Sequence, residues 1–191
     1  VVSKLGAKVQ TFLDGDYTLP DVPERIPVIQ TPEVFFDKSV DVISVLEQQK
    51  PVSAEEPMTF EDLGQGYGYV LYRRHFNQPI SGMMRVPGIA DFATVYVNGK
   101  KVGELNRVID KDSLLVDIPF NSTLDILVEN LGRINYGARI LDNHKGITRP
   151  ITIGDSQISG SWNMYGLPLS EMPDVASMPE GYHAGRPVYS S

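Results

Sequence analysis

Asn98 and Gly99 stand between two alternating runs, and this short interruption restricts the fold more than any other stretch of the chain. Ala93, Val95 and Val97 alternate with Thr94 and Tyr96 on one side, and the segment from Lys100 to Leu105 follows directly on the other. A two-residue Asn-Gly loop suits a hairpin because both residues must take φ > 0, which Gly adopts freely and Asn tolerates. Two antiparallel strands closed by a tight turn are therefore expected. The same period of two continues in Leu114, Val116 and Ile118, in Leu124, Ile126 and Val128, and in Ile151 and Ile153. In a further run Tyr67, Tyr69 and Leu71 share one face and Val70, Tyr72 and Phe76 the other, so that strand should be covered on both sides. Several short strands with regular turn signals, and no helical pattern of about 15 residues, predict an all-β chain built as an antiparallel jelly-roll β-sandwich.

The flanks differ in texture. Residues 1–34 hold Pro20, Pro23, Pro27 and Pro32, each of which fixes φ and removes a backbone donor, so an extended N-terminal linker is expected there. The sandwich is assigned to residues 35–160. Residues 161–191 carry Pro168, Pro173, Pro179 and Pro187 with little alternation, and read as an irregular C-terminal tail leading into a further module. Within the sandwich, Val42, Ile43, Val45 and Leu46 are too closely mixed to separate a short helix from a strand. Thr59, followed three residues later by Asp62, is expected to cap one helical turn through Leu63.

Composition excludes several functions. The 17 Lys and Arg against 24 Asp and Glu give a net charge of −7, and no basic run is interleaved with aromatics, so nucleic acid is not expected as a partner. No apolar run approaches the ~20 residues that span a bilayer, so a membrane is not expected either. The absence of cysteine rules out disulfides, thiol catalysis and thiolate metal sites without fixing a compartment. His75, His144 and His183 lack a second ligand at metal-binding spacing, and no metal or cofactor is assigned. Asp142 and nearby carbonyls leave calcium open, although the segment Asp142 to Thr148 reads equally well as a surface turn around Gly146. Gly64, Gly66 and Gly68 invite comparison with a dinucleotide loop, but they precede a Tyr-rich strand instead of opening a helix. Close backbone approach is the simpler reading.

The stretch ILVENLGRINYG, from Ile126 to Gly137, follows a strand and places Gly132, Asn135 and Gly137 where the backbone must turn. Arg133 there can donate several hydrogen bonds from one rigid fork. Two more blocks, EDLGQGYGYVLYRR from Glu61 to Arg74 and VYVNGKKVGEL from Val95 to Leu105, come in the order and spacing of family-35 glycoside hydrolases. SWNMYGLPL, Ser161 to Leu169, looks like that family's step out of its first sandwich, and IPVIQTPEVFF, Ile26 to Phe36, like the link from the end of its catalytic barrel. The chain thus resembles the non-catalytic β-sandwich region of a β-galactosidase, over roughly residues 55–170.

The resemblance implies a galactose-binding-domain-like fold, a parent that hydrolyses terminal β-galactosyl residues with retention, and a catalytic barrel of the same parent chain as partner. The compartment is left unknown, with an exported parent, periplasmic or extracellular, favoured. A glycosidase needs two carboxylates flanking the scissile bond in a shaped, partly desolvated pocket. The family's two catalytic glutamates match no position here, so no catalytic residue is assigned. Glu55 and Glu56, like Glu61 and Asp62, read as solvated pairs, and Glu129 as an acceptor for local backbone or for Arg133. What carries over is a structural corner: Glu129, Asn130, Gly132, Arg133, Asn135, Tyr136 and Gly137. Because the apolar face of a galactose ring packs on aromatic planes, Trp162 and Tyr136 are the candidates for contact with a galactoside, with burial in the core as the competing role.

Overall fold

A computed structural model describes residues 2–13, 15, 19–33, 39–171 and 188–190. Two compact units are distinguished, residues 1–35 and 36–191. Pro173, Pro179, His183, Pro187 and the 34/35 boundary expected from the sequence lie outside the described residues.

The first unit differs from an extended linker at its start. Val2–Gln10 forms helix α1, with no buried residue. Val2, Leu5 and Val9 recur at helical spacing and line an apolar groove with Leu19, Pro20 and Val22. The described residues from Leu19 to Glu33 carry no regular structure, in keeping with their prolines.

The second unit is built from short strands: β1 Ser39–Asp41, β2 Val52–Ala54, β3 Tyr69–Phe76, β4 Ile80–Arg85, β5 Ile89–Ala90, β6 Phe92–Val97, β7 Lys100–Asn106, β8 Ser113–Ile118, β9 Ser122–Glu129, β10 Gly146–Ile147, β11 Thr152–Ile153, β12 Ser156–Gln157, β13 Trp162–Leu167 and β14 Val188–Ser190. One helix, α2 Val42–Glu47, follows β1. A six-stranded sheet runs in the order β2-β13-β3-β9-β6-β7 and a four-stranded sheet in the order β12-β11-β4-β8, while β5 pairs with β10 and β1 with β14. The paired strands are antiparallel, as in Tyr69↔Glu129 and Val97↔Leu124.

The Asn98-Gly99 turn closes β6 on β7 with φ of 49° and 74°. Alternation then decides which side chains meet. Val70 and Tyr72 of β3, Val95 of β6, Ile126 and Val128 of β9 and Met164 of β13 pack in one core with Met84, Val116, Ile118 and Ile153 of the four-stranded sheet. On the opposite face of the six-stranded sheet, Leu71, Tyr96, Leu127 and Leu167 pack against Val42, Ile43, Val45 and Leu46 of α2. Strand β3 is thus covered on both sides, as its pattern predicts. The ambiguous run after Val40 resolves as a helix because Asp41 caps it, accepting from the Ser44 amide at 3.1 Å and from its hydroxyl at 2.5 Å. Arg73 of β3 ties the layers, reaching Glu47 of α2 at 2.8 Å and Asp125 of β9 at 2.6 Å.

The sequence pattern places the end of the sandwich at residue 160, but β13 lies between β2 and β3 in the six-stranded sheet. Its alternation is masked by Gly166 and by burial on both faces. The tail therefore contributes a central strand, with irregular backbone resuming at Pro168.

Candidate functional site

The candidate site is the loop from Asn130 to His144, which leaves β9 and returns in β10. Gly132 and Gly137 have φ of 114° and 112°, where the sequence expects turns, while Asn135 is not in the left-handed region. The loop exposes Leu131, Ile134, Tyr136, Ile140 and Leu141, with Tyr136 91% and Leu141 89% accessible. Apolar side chains of that size seldom crowd one loop unless something covers them.

Its root is fastened at several points. Asn130 donates through Nδ2 to the Gly66 carbonyl at 2.9 Å, and its Oδ1 accepts from the Gly132 amide at 2.9 Å. The Arg133 fork donates through Nε to Gly66 O at 2.9 Å and through Nη1 to Asn143 O at 3.1 Å. Asn143 in turn accepts from the Ile134 amide at 3.1 Å, bridging the two sides of the loop. Arg133 Nη1 also pairs with Glu61 Oε1 at 2.5 Å. Arg133 therefore meets Glu61 and not Glu129, whose carbonyl accepts from the Asp91 amide at 3.3 Å.

Glu61 is likewise no free solvated charge. Its Oε2 accepts from the Lys145 amide at 3.0 Å and lies 3.5 Å from His144 Nδ1. Partial burial pushes its carboxyl pKa up, but the Lys145 amide and the Arg133 guanidinium outweigh that and hold it below the ordinary carboxylate value. The turn carrying Glu61 is set by the expected capping pair. Thr59 Oγ1 accepts from the Asp62 amide at 3.1 Å, and Asp62 Oδ2 accepts from the Thr59 amide at 3.1 Å and its hydroxyl at 2.7 Å. These Thr59 bonds hold the Asp62 carboxyl below its usual range.

Gly146 is not on a surface turn. It is buried at φ 95°, and a Cβ there would lie 2.3 Å from the Tyr72 hydroxyl and 2.9 Å from Phe60 Cδ1. Burial pushes the Tyr72 phenol up, and its hydroxyl donates to the Met58 carbonyl at 2.8 Å.

The two aromatic candidates separate. Trp162 is fully buried in the core, with the Arg74 guanidinium 5.7 Å from its ring centroid, so it offers no face to a sugar. Alternating strand residues bury alternate faces, and β13 is interior. Tyr136 remains as the accessible aromatic at the loop apex. Sequence reasoning missed Asp91 and Lys145, which are 2% and 1% exposed and paired at 2.6 Å. Their signal was a lone carboxylate inside the apolar run Ile89 to Ala93, since a buried charge needs a partner.

A family model described as "Beta-galactosidase, first all-beta domain" matches residues 57–168. The chain belongs to this family. The match starts beside the Thr59 turn and ends where β13 gives way to Pro168, so it takes in the whole candidate loop. A β-galactosidase of Xanthomonas manihotis is 40% identical over 120 residues, covering 62% of this chain and 20% of that protein. A β-galactosidase of Bos taurus is 36% identical over 152 residues, covering 76% and 22%, and one of Felis catus 33% over 178 residues, covering 85% and 25%. The chain spans about a fifth to a quarter of the length of these β-galactosidases.

Proposed function

We propose that this all-β domain serves a β-galactosidase that hydrolyses terminal β-galactosyl residues, as a scaffold and docking surface for the catalytic barrel of the same parent chain. The observation that carries the docking role is the pairing of an exposed apolar loop with a fastened root. A loop held by Arg133, Asn130 and Asn143 presents Tyr136, Ile140 and Leu141 at little entropic cost on association. In this reading residues 1–34 lead from the barrel and residues after Pro168 lead toward a second sandwich. The chain alone supplies no assigned catalytic pair, so it should not hydrolyse a chromogenic β-galactoside above background.

Docking is tested by adding the chain to a separately produced barrel of its parent. Wild type should raise the barrel's melting temperature and galactosidase rate, and Leu141→Asp should abolish both effects. If wild type and Leu141→Asp act alike, the loop is not the docking surface. A second reading, a carbohydrate-binding module for galactosides, is favoured only by the exposure of Tyr136 on an anchored loop. It predicts saturable amide shifts around Tyr136 on titration with galactose or lactose, lost in Tyr136→Ala. No shifts would leave docking as the role of the loop.

A further inference from the structure

We propose that Asp91 is the positioning residue of the candidate loop, one buried carboxylate that holds both of its ends and the neighbouring turn. Asp91 sits between β5 and β6 and is 2% exposed. Its Oδ2 accepts from the Leu131 amide at 3.0 Å, where the loop leaves β9, and from Lys145 Nζ at 2.6 Å, where the loop enters β10. Its Oδ1 faces Arg107 Nε at 3.1 Å, and its carbonyl accepts from the Arg107 amide at 2.9 Å. Three segments far apart in sequence thus converge on one side chain.

The chemistry explains why an acid stands there. A hydrophobic residue could fill the space and stabilise the core as well as a buried ion pair does, but it would not join an amide, an ammonium and a guanidinium at fixed distances. Oδ2 takes hydrogen bonds from the amide and the ammonium, while Oδ1 meets the guanidinium as an ion pair without a hydrogen bond. Lys145 continues the clamp, since its amide donates to Glu61 and its carbonyl accepts from the Phe60 amide at 2.9 Å. With both ends closed on one point, the apex bearing Tyr136, Ile140 and Leu141 has fewer conformations to sample. The turn Arg107–Ile109 is drawn to the same end and brings the exposed Val108 and Ile109 with it. The tether itself stands on geometry, and only its purpose rests on the docking reading.

Hydrogen exchange on the whole chain tests it. Lys145→Met keeps the apolar stem but frees the β10 end of the loop from Asp91. Amides of residues 132–144 should then exchange ~10- to 100-fold faster, the range expected for losing one strong buried contact, while those of β3 and β9 change by less than ~3-fold. Lys145→Met leaves Asp91 buried with Arg107 as its remaining cation, so the Asp91→Asn/Lys145→Met double variant, with neither charge left, serves if the single variant fails to fold. Its loop should be accelerated to the same degree. Wild-type exchange in residues 132–144, or an acceleration shared equally by β3 and β9, would overturn the proposal. Because the chain is measured alone, the exchange result does not depend on a barrel, so a Leu141→Asp variant that acts like wild type would refute the docking reading and leave the tether standing.

Discussion

Replacing Arg133 by Ala removes the fork that ties the loop to the body of the sandwich, and the cost can be worked from its three contacts. Two are hydrogen bonds to backbone carbonyls, Gly66 O and Asn143 O, each contributing a net ~0.5–1.5 kcal/mol. The third is the pair with Glu61, in which the two side chains are 36% and 30% exposed, so screening keeps it near the ~0.2–1 kcal/mol of surface pairs. Partial exposure argues for the lower half of each range, about 2 kcal/mol in all. At about 1.4 kcal/mol per decade, amides from Leu131 to His144 should exchange ~30-fold faster in Arg133→Ala, measured by mass spectrometry of protease fragments against β3 and β9 as internal controls. Arg133→Lys keeps the charge but reaches at most one partner, so it should recover only a minor part of the protection. Exchange within ~3-fold of wild type in Arg133→Ala would show that the fork does not hold the loop, and the calculation would fail.

Three further outcomes follow from the geometry. The Glu61 carboxyl has a folded pKa below its ordinary 4.5, so its pairing stabilises the fold above that pH and the contribution is lost as the pH falls through the folded value. Urea midpoints of Glu61→Gln should accordingly vary less with pH below about pH 5 than those of wild type, and an unchanged slope would sink the assignment. Gly146→Ala combines a left-handed backbone with a Cβ 2.3 Å from the Tyr72 hydroxyl, and should lower stability by about 2 kcal/mol or more in denaturant melts, against no change if the strand simply shifts. Trp162→Ala should cost ~3–5 kcal/mol because it empties a core position, whereas Tyr136→Ala should stay within ~0.5 kcal/mol, and equal losses in the two melts would contradict their burial.

The sandwich was legible in the chain because local rules and tertiary demands agree over most of it. Asn98-Gly99 needed left-handed backbone, and the alternation of β3, β6, β8 and β9 sorted side chains between two faces before any packing was known. The order of three motif blocks pointed to the β-galactosidase family, and the Thr59 to Asp62 spacing announced a turn that the structure closes. These signals are short in range and survive in a string of residues.

Tertiary structure decided what depends on distance in space. Strand β13 is a strand because β2 and β3 offer it backbone partners on both sides, which no pattern within Trp162 to Leu167 declares. The same pairing buries Trp162 and takes it away from any ligand, while Tyr136, chemically as plausible, is left in solvent. Arg133 could have met any nearby acid, and Glu61 won because the loop folds back over the Thr59 turn instead of along β9. Asp91 and Lys145 stand 54 positions apart, and only the closing of β5 on β10 brings their charges within 2.6 Å. The residue types set what each side chain could bond to, and the long-range pairing of strands determined which of those bonds formed.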